Sequence, residues 1–324
     1  MNHRSLLWML FAMAYATPSV AQDFSVSSEG TFSIIARDPA TGQLGMGVTS
    51  KTVATGARSR GGKGGVAVIA HQSASNPMYG TIGIELLEAG MTPQEALEMM
   101  LRSDEGRDSR QVAIVDIQGR TAAWTSPTIT DWKGHHCGVN YCAQGNTLAG
   151  PGVVEGMVKS FESSSGPLAE RLLDALDAGQ AAGGDKRGRQ SAALLILKPL
   201  TQAGFGDREL DLRADEHTTP LVELRRVLRA FRSREAVSEV GNKLRSNDLK
   251  GALEKAIGAR DIYPENDDAW VAIAEVNVRM GRKAEALEAV RRAVGLNESN
   301  KRLLSANKSF ASLFEDPEFL RLVK

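Results

Sequence analysis

The chain carries no net charge: 39 lysines and arginines balance 39 aspartates and glutamates over 324 residues. That excludes the basic field that draws in nucleic acid or an anionic membrane surface. Cysteine is nearly absent. Cys137 and Cys142 are the only two, and their spacing, even with His135 and His136 beside them, matches no standard zinc pattern. No metal or other cofactor is expected. Long apolar runs are missing as well. Leu6 to Ala16 is too short to span a bilayer as a helix, and no later segment is apolar enough, so no stable membrane insertion is expected. A phosphate loop is also lacking. Gly61-Gly62-Lys63-Gly64-Gly65 has no Ser or Thr after its lysine and fails the Walker pattern. It reads as a glycine-rich bend before a strand at Val66–Ala70.

What is present begins with an address. His3 and Arg4, the apolar stretch, and Pro18-Ser19-Val20-Ala21 have the layout of a signal peptide over residues 1–21, cut after Ala21. The mature protein is therefore expected to be periplasmic or secreted. An oxidising compartment permits a Cys137–Cys142 disulfide; the sequence cannot show its geometry.

Thr31 follows Gly30 and opens a strand-like run, Thr31–Asp38. A cut between the two would give Thr31 a free α-amine beside its own hydroxyl, a nucleophile with its own base. Such an amine titrates at about 7.7–8.0, near working pH. The alternative is a β-branched residue starting a strand.

Further strands are expected at Leu44–Ser50, Gln111–Ile117, Arg120–Thr125, Tyr141–Gly145 and Ser191–Lys198, with an edge strand at Glu209–Arg213. Helices are expected at Tyr79–Ala89, from Thr92-Pro93-Gln94-Glu95 (a capping box) to about Arg102, at Gly152–Glu162 and at Pro167–Ala178. Strands, helices and strands without a βαβ rhythm indicate antiparallel sheets with segregated helices, an α+β fold.

The tail differs. Residues 233–266 and 267–300 align at a period of 34, the tetratricopeptide length. Trp270, Ile273, Ala274, Gly281, Ala286 and Ala293 fit the second unit. Ala252, Ala259 and Pro264 fit the first, which has lost its Trp and Gly. Residues 301–324 read as a helical cap. Leu221–Arg232 reads as a helical bridge whose arginines, Arg225, Arg226, Arg229 and Arg232, form a solvated face. The expected domains are 31–215 and 220–324.

Several stretches resemble domain-of-unknown-function family 1028, which belongs to the N-terminal-nucleophile (Ntn) hydrolase-like superfamily. They are Thr31–Asp38, Asn76-Pro77-Met78-Tyr79-Gly80, Arg110-Gln111-Val112, Gln144–Gly150 and Ala178–Ala193. The resemblance implies a four-layer αββα sandwich and an N-terminal Thr that cleaves amides once the preceding residues are removed. In this family that Thr often follows the initiator Met; here it lies behind a signal peptide and about nine more residues, so a second cut is required. Thr125-Ser126 departs from the usual Thr-Gly. Many family members carry a peptidoglycan-binding segment, which residues 215–229 resemble only faintly.

The expected roles follow. Thr31 is the nucleophile, and Lys51 tunes its amine or stabilises the oxyanion. Asn146 and Gln144, in a polar turn after a strand, either donate to the oxyanion or fix the turn, and Asn76 carries the same alternatives. Ser50 sits with Lys51 at the strand end. Asp185 and Arg187 bind substrate or pair with each other. His71 is expected to be a satisfied core residue. The first functional expectation is an exported amidohydrolase acting on a small amide or peptide. The alternative is a non-catalytic domain whose tail binds a protein partner, with cell-wall association as a third. Homo-oligomerisation stays open.

Overall fold

A computed structural model describes residues 30–129, 131–199 and 206–324. The expected signal peptide lies outside the described residues. Among the described residues, ten strands form two antiparallel sheets. The larger contains β1 (Thr31–Arg37), β2 (Leu44–Ser50), β7 (Trp132–Gly138), β8 (Tyr141–Leu148), β9 (Ser191–Leu197) and β10 (Arg208–Ala214), in the order β10-β9-β2-β1-β8-β7. The smaller contains β3 (Arg60–Lys63), β4 (Ala67–Ser73), β5 (Arg110–Asp116) and β6 (Thr121–Thr125), in sequence order.

The period-2 alternation of each strand builds two faces. Ile34 and Ala36 of β1 and Leu194 and Ile196 of β9 face α4 (Gly152–Ser163) and α5 (Leu168–Ala181), packing on Met157, Leu172 and Leu176. Ile35, Met46 and Leu195 face the other way, onto Val68, Ala113 and Val115 of the second sheet. On that sheet's far face, Ile69, Val112 and Ile114 meet Tyr79 and Ile84 of α2 (Met78–Glu88) and Leu97 and Met100 of α3 (Pro93–Ser103). The fold is α+β, and its layers run helices, sheet, sheet, helices. The capping box at Thr92 and Glu95 starts α3 as expected, with both reciprocal bonds present.

Two expectations for the sandwich are corrected. Gly61 and Gly62 lie in strand β3 and not in a bend. The glycines let α2 approach: a Cβ on Gly61 would sit 2.3 Å from the Gly80 Cα. Gln144 and Asn146 do not occupy a turn, because β8 continues through both to Leu148 and buries them completely. Strand β7 and the short helix α1 (Thr55–Arg58) are additions. Cys137 and Cys142 face each other across β7 and β8 and form a disulfide, so neither thiol is available as a ligand.

The C-terminal part is helical: α6 (Pro220–Arg245), α7 (Leu249–Ile262), α8 (Asp267–Arg279), α9 (Lys283–Leu296), α10 (Asn300–Ala306) and α11 (Pro317–Val323). Helix α6 belongs to two cores. Leu221, Leu224 and Leu228 join the sandwich, while Val240 joins a separate cluster with Ala252, Ala256, Ile273, Val290 and Phe319. Of the α6 arginines, Arg226 and Arg229 are exposed, as expected, whereas Arg225 and Arg232 are half-buried against α5. Arg225 bonds Asp174 and Asp177 of α5, Arg232 bonds Glu170 of α5, and Arg226 and Arg229 reach Tyr263 and the Ile262 carbonyl at the end of α7.

Candidate functional site

Thr31 begins β1 with a strand on each side. The register sets it opposite Ser50 of β2 and Asn146 of β8, and Ser50 opposite Ser191 of β9. Directly opposed residues share a sheet face. The sequence therefore lays a polar row, Asn146–Thr31–Ser50–Ser191, across four strands. It lies on the face that carries Ile35 between the two sheets, at one end of the sandwich.

The row is wired to Gly30. Thr31 Oγ1 donates to Ser50 Oγ at 3.0 Å, and Ser50 Oγ donates to the Gly30 carbonyl oxygen at 2.5 Å. A second donor meets that oxygen: Arg187 Nη2, at 2.7 Å. The guanidinium is aimed by Asp185. Arg187 Nε donates to Oδ1 at 3.1 Å and Nη2 to Oδ2 at 2.8 Å, a side-on fork. The Asp185 carboxylate also accepts the backbone N–H of Lys51 at 3.0 Å and of Arg187 at 2.9 Å. Its side chain is only 1 % exposed, a burial that an ionised carboxylate tolerates only when paired and hydrogen-bonded.

Behind the row stands an amide network. Gln72 Nε2 donates to the Thr31 carbonyl at 3.0 Å and to Gln111 Oε1 at 2.8 Å. Asn146 Nδ2 donates to the same Gln111 oxygen at 2.9 Å. Gln111 Nε2 reaches the Gly145 carbonyl at 2.8 Å, and Ser33 Oγ donates to Gln72 Oε1 at 2.6 Å. The smaller sheet thus fixes the main chain of β1 and β8 around Thr31 from below.

The structure brings together Thr31, Ser50, Asn146, Asp185 and Arg187. Gln144 lies one residue pair deeper, opposite Ser33. Lys51 contributes its backbone N–H, while its side chain is exposed. Asn76 belongs to another cluster: its Oδ1 accepts the Met78 N–H at the start of α2, and its amide faces Asp104. Arg110 holds Asp104 down to about 2, with a hydrogen bond from Tyr79 adding to the effect. His71 is half-satisfied. Its Nδ1 lies 2.8 Å from Ser75 Oγ, its Nε2 meets no polar partner among the described residues, and burial lowers it to about 4.

Sequence reasoning missed Gln72 and Gln111 as site residues. The signal available was a glutamine on each of two otherwise apolar buried strands. Among the described residues, surface cavities of about 240 to 500 Å3 open elsewhere, away from these side chains. With Gly30 in place the site is filled, and Thr31 is 3 % exposed.

Comparison with known proteins agrees with this architecture. A family model described as a family of unknown function, DUF1028, matches residues 31–224. A crystal structure of a DUF1028 protein from Silicibacter pomeroyi is similar, with 32% identity and a TM-score of 0.56, covering 61% of this chain and 84% of that one. No curated protein matches. The matched region takes in every strand and ends inside α6, and on it the chain belongs to the DUF1028 family.

Proposed function

We propose that the protein is an amide hydrolase whose nucleophile is Thr31, released as a new N-terminus when the chain cuts its own Gly30–Thr31 bond. One observation carries this reading: the Gly30 carbonyl oxygen sits between Arg187 and Ser50, and Ser50 also takes the hydrogen bond of the Thr31 hydroxyl. Two preorganised donors on the oxygen of one peptide bond are what an oxyanion needs.

The self-cut follows from that geometry. Thr31 Oγ1 attacks the Gly30 carbonyl carbon while its proton passes to Ser50 and Ser50's own proton passes to the carbonyl oxygen, giving a neutral tetrahedral carbon. Arg187 offsets the negative charge that develops on that oxygen before the proton arrives. As the tetrahedral carbon collapses, the proton on that oxygen leaves, the C–N bond breaks and the Thr31 nitrogen takes up a proton. Gly30 is then joined to Thr31 through an ester. Water cleaves the ester, leaving a Gly30 carboxylate and a free Thr31 amine.

The same parts then serve an external amide. The free amine is the base, and the attack forms an acyl ester on Thr31 that water resolves. Ser50 and Arg187, relieved of the Gly30 oxygen, donate to the substrate carbonyl. An exported protein, cut first behind its signal peptide, fits this two-stage maturation. The test is intact mass and N-terminal sequence of the protein from its native compartment, beside the Thr31→Ala variant. The native chain should begin at Thr31 and the variant at Gln22. A native chain beginning at Gln22 or Asp23 ends this reading.

The helical tail favours a second role alongside it. It has its own core and lies almost wholly beyond the family match, which suits a tetratricopeptide-like module that docks a protein partner.

A further inference from the structure

We infer that the acyl side of this site is selective for glycine, so that the substrate class is amides whose carbonyl belongs to a glycyl residue, including peptides cut after glycine. The inference rests on Thr31 acting as the nucleophile. The ester formed in the self-cut is chemically an acyl-enzyme whose acyl group is Gly30. An external substrate forms the same ester on the same oxygen, between the same donors, and its acyl α-carbon must fit where the Gly30 α-carbon fits.

That place admits no L side chain. A Cβ built on Gly30 falls 2.7 Å from Asp185 Oδ1, 2.8 Å from Oδ2 and 2.9 Å from Cγ. These distances are far inside van der Waals contact. The obstacle is not the loose end of a flexible side chain. The Asp185 oxygens accept from Lys51 N, Arg187 N, Arg187 Nε and Arg187 Nη2. If Asp185 moves aside, it takes with it the guanidinium that holds the carbonyl oxygen, so room for a methyl group is made only by dismantling the oxyanion donor. The carboxylate therefore has two effects, aiming Arg187 and screening the acyl group. Gly30 is itself joined through its nitrogen to a preceding residue, so an N-acylated glycine satisfies the site and a free amino terminus is not required.

Two measurements test this. The first follows self-cutting by mass in the full chain and in Gly30→Ala. The second uses the mature protein, beginning at Thr31, with the 4-nitroanilides of N-acetylglycine and N-acetyl-L-alanine. One methyl group against a fixed wall corresponds to a roughly 10- to 200-fold loss. Gly30→Ala should slow the cut, and kcat/KM for the alanyl anilide should fall, each within that range. Asp185→Ser should lower both anilide rates but bring their ratio toward one, a readout that a general loss of activity does not move. Equal cleavage of the two anilides, or Gly30→Ala cut at the native rate, overturns the selectivity while Thr31 remains the nucleophile. A native chain that never begins at Thr31 and cleaves neither anilide overturns the nucleophile, and this inference with it.

Discussion

The sandwich and the helical tail solve burial in opposite ways. The tail core interleaves small residues such as Ala252, Ala256, Ala274, Ala286 and Ala289 with large ones such as Ile273, Leu287, Val290, Phe310 and Phe319. Its buried polar residues, Ser233, Asn277 and Asn300, bond to carbonyls or helix ends: Ser233 Oγ to the Ala259 carbonyl, Asn277 Nδ2 to the Ile273 carbonyl, and Asn300 Nδ2 to the Ala293 carbonyl. Each is a local brace. The sandwich instead gathers Thr31, Ser33, Ser50, Gln72, Gln111 and Asn146 into one connected network at one end of its inter-sheet space. Buried polar networks must be fully satisfied or they destabilise the fold. A region that carries one where an apolar core would pack is organised around something other than stability.

The sharpest way to break this comparison is Arg187→Lys. Lysine keeps the charge but has no side-on fork for Asp185 and cannot hold two acceptors in a fixed plane. Losing one preorganised oxyanion donor costs about 10²–10³ in rate, so self-cutting should slow by that factor. The unfolding midpoint of the tail, followed by hydrogen exchange of α7 to α9, should not move. If cutting proceeds at the native rate, the Gly30 carbonyl does not depend on Arg187.

His71 provides a stability test confined to the sandwich. It is buried between the smaller sheet and α2, and burial is the main reason it titrates at about 4 instead of 6.5, the Arg110 charge adding to that. Above pH 6.5 both folded and unfolded chains keep the ring neutral. Between 6.5 and 4 the unfolded chain binds a proton that the folded chain refuses, so stability declines as the pH falls. The full difference is up to about 3 kcal/mol below pH 4. Denaturant midpoints of the wild type should drop across this window more steeply than those of His71→Gln. Parallel slopes would mean that the imidazole is not held neutral.

How much of this could be read in advance differs between the two regions. In the sandwich, apolar alternation located β1, β2, β5 and β9, and the capping box located α3. The site was less legible because it is made by register. Arg187 meets the Gly30 oxygen across 157 positions of chain, and nothing local to either residue announces it. Gln144 and Asn146 look like turn residues because amides are costly in a buried strand. Asn146 is tolerated there because Gln111 accepts from its amide, while Gln144 Nε2 reaches Ser33 and the Ala70 carbonyl and its Oε1 has no partner among the described residues. Strand β7 escaped notice because it is an edge strand with His135 and His136 exposed, so its pattern carries no burial signal. Arg225 and Arg232 look solvated in sequence because their acidic partners lie on α5.

In the tail two features recur at a spacing of 34 residues. Gly281 turns α8 into α9 at a φ of 71°, and Asn247, 34 positions earlier, turns α6 into α7 at a φ of 58°. The earlier position has asparagine in place of glycine and the same left-handed conformation, which asparagine tolerates best after glycine. A polar brace recurs at the same interval: Asn266 Nδ2 donates to Ser233 at 2.8 Å and Asn300 Nδ2 to Asp267 at 2.8 Å. Asn247 is exposed, so its substitutions report on backbone alone. Asn247→Ala should destabilise the tail by about 1 kcal/mol, the cost of a Cβ-bearing residue in that conformation, and Asn247→Gly should leave it within a few tenths. Neither should alter self-cutting at Gly30. Hydrogen exchange of the α6 to α9 amides separates the two. An alanine variant as stable as the glycine variant would show that the turn at Asn247 is not held left-handed, and would remove its parallel with Gly281.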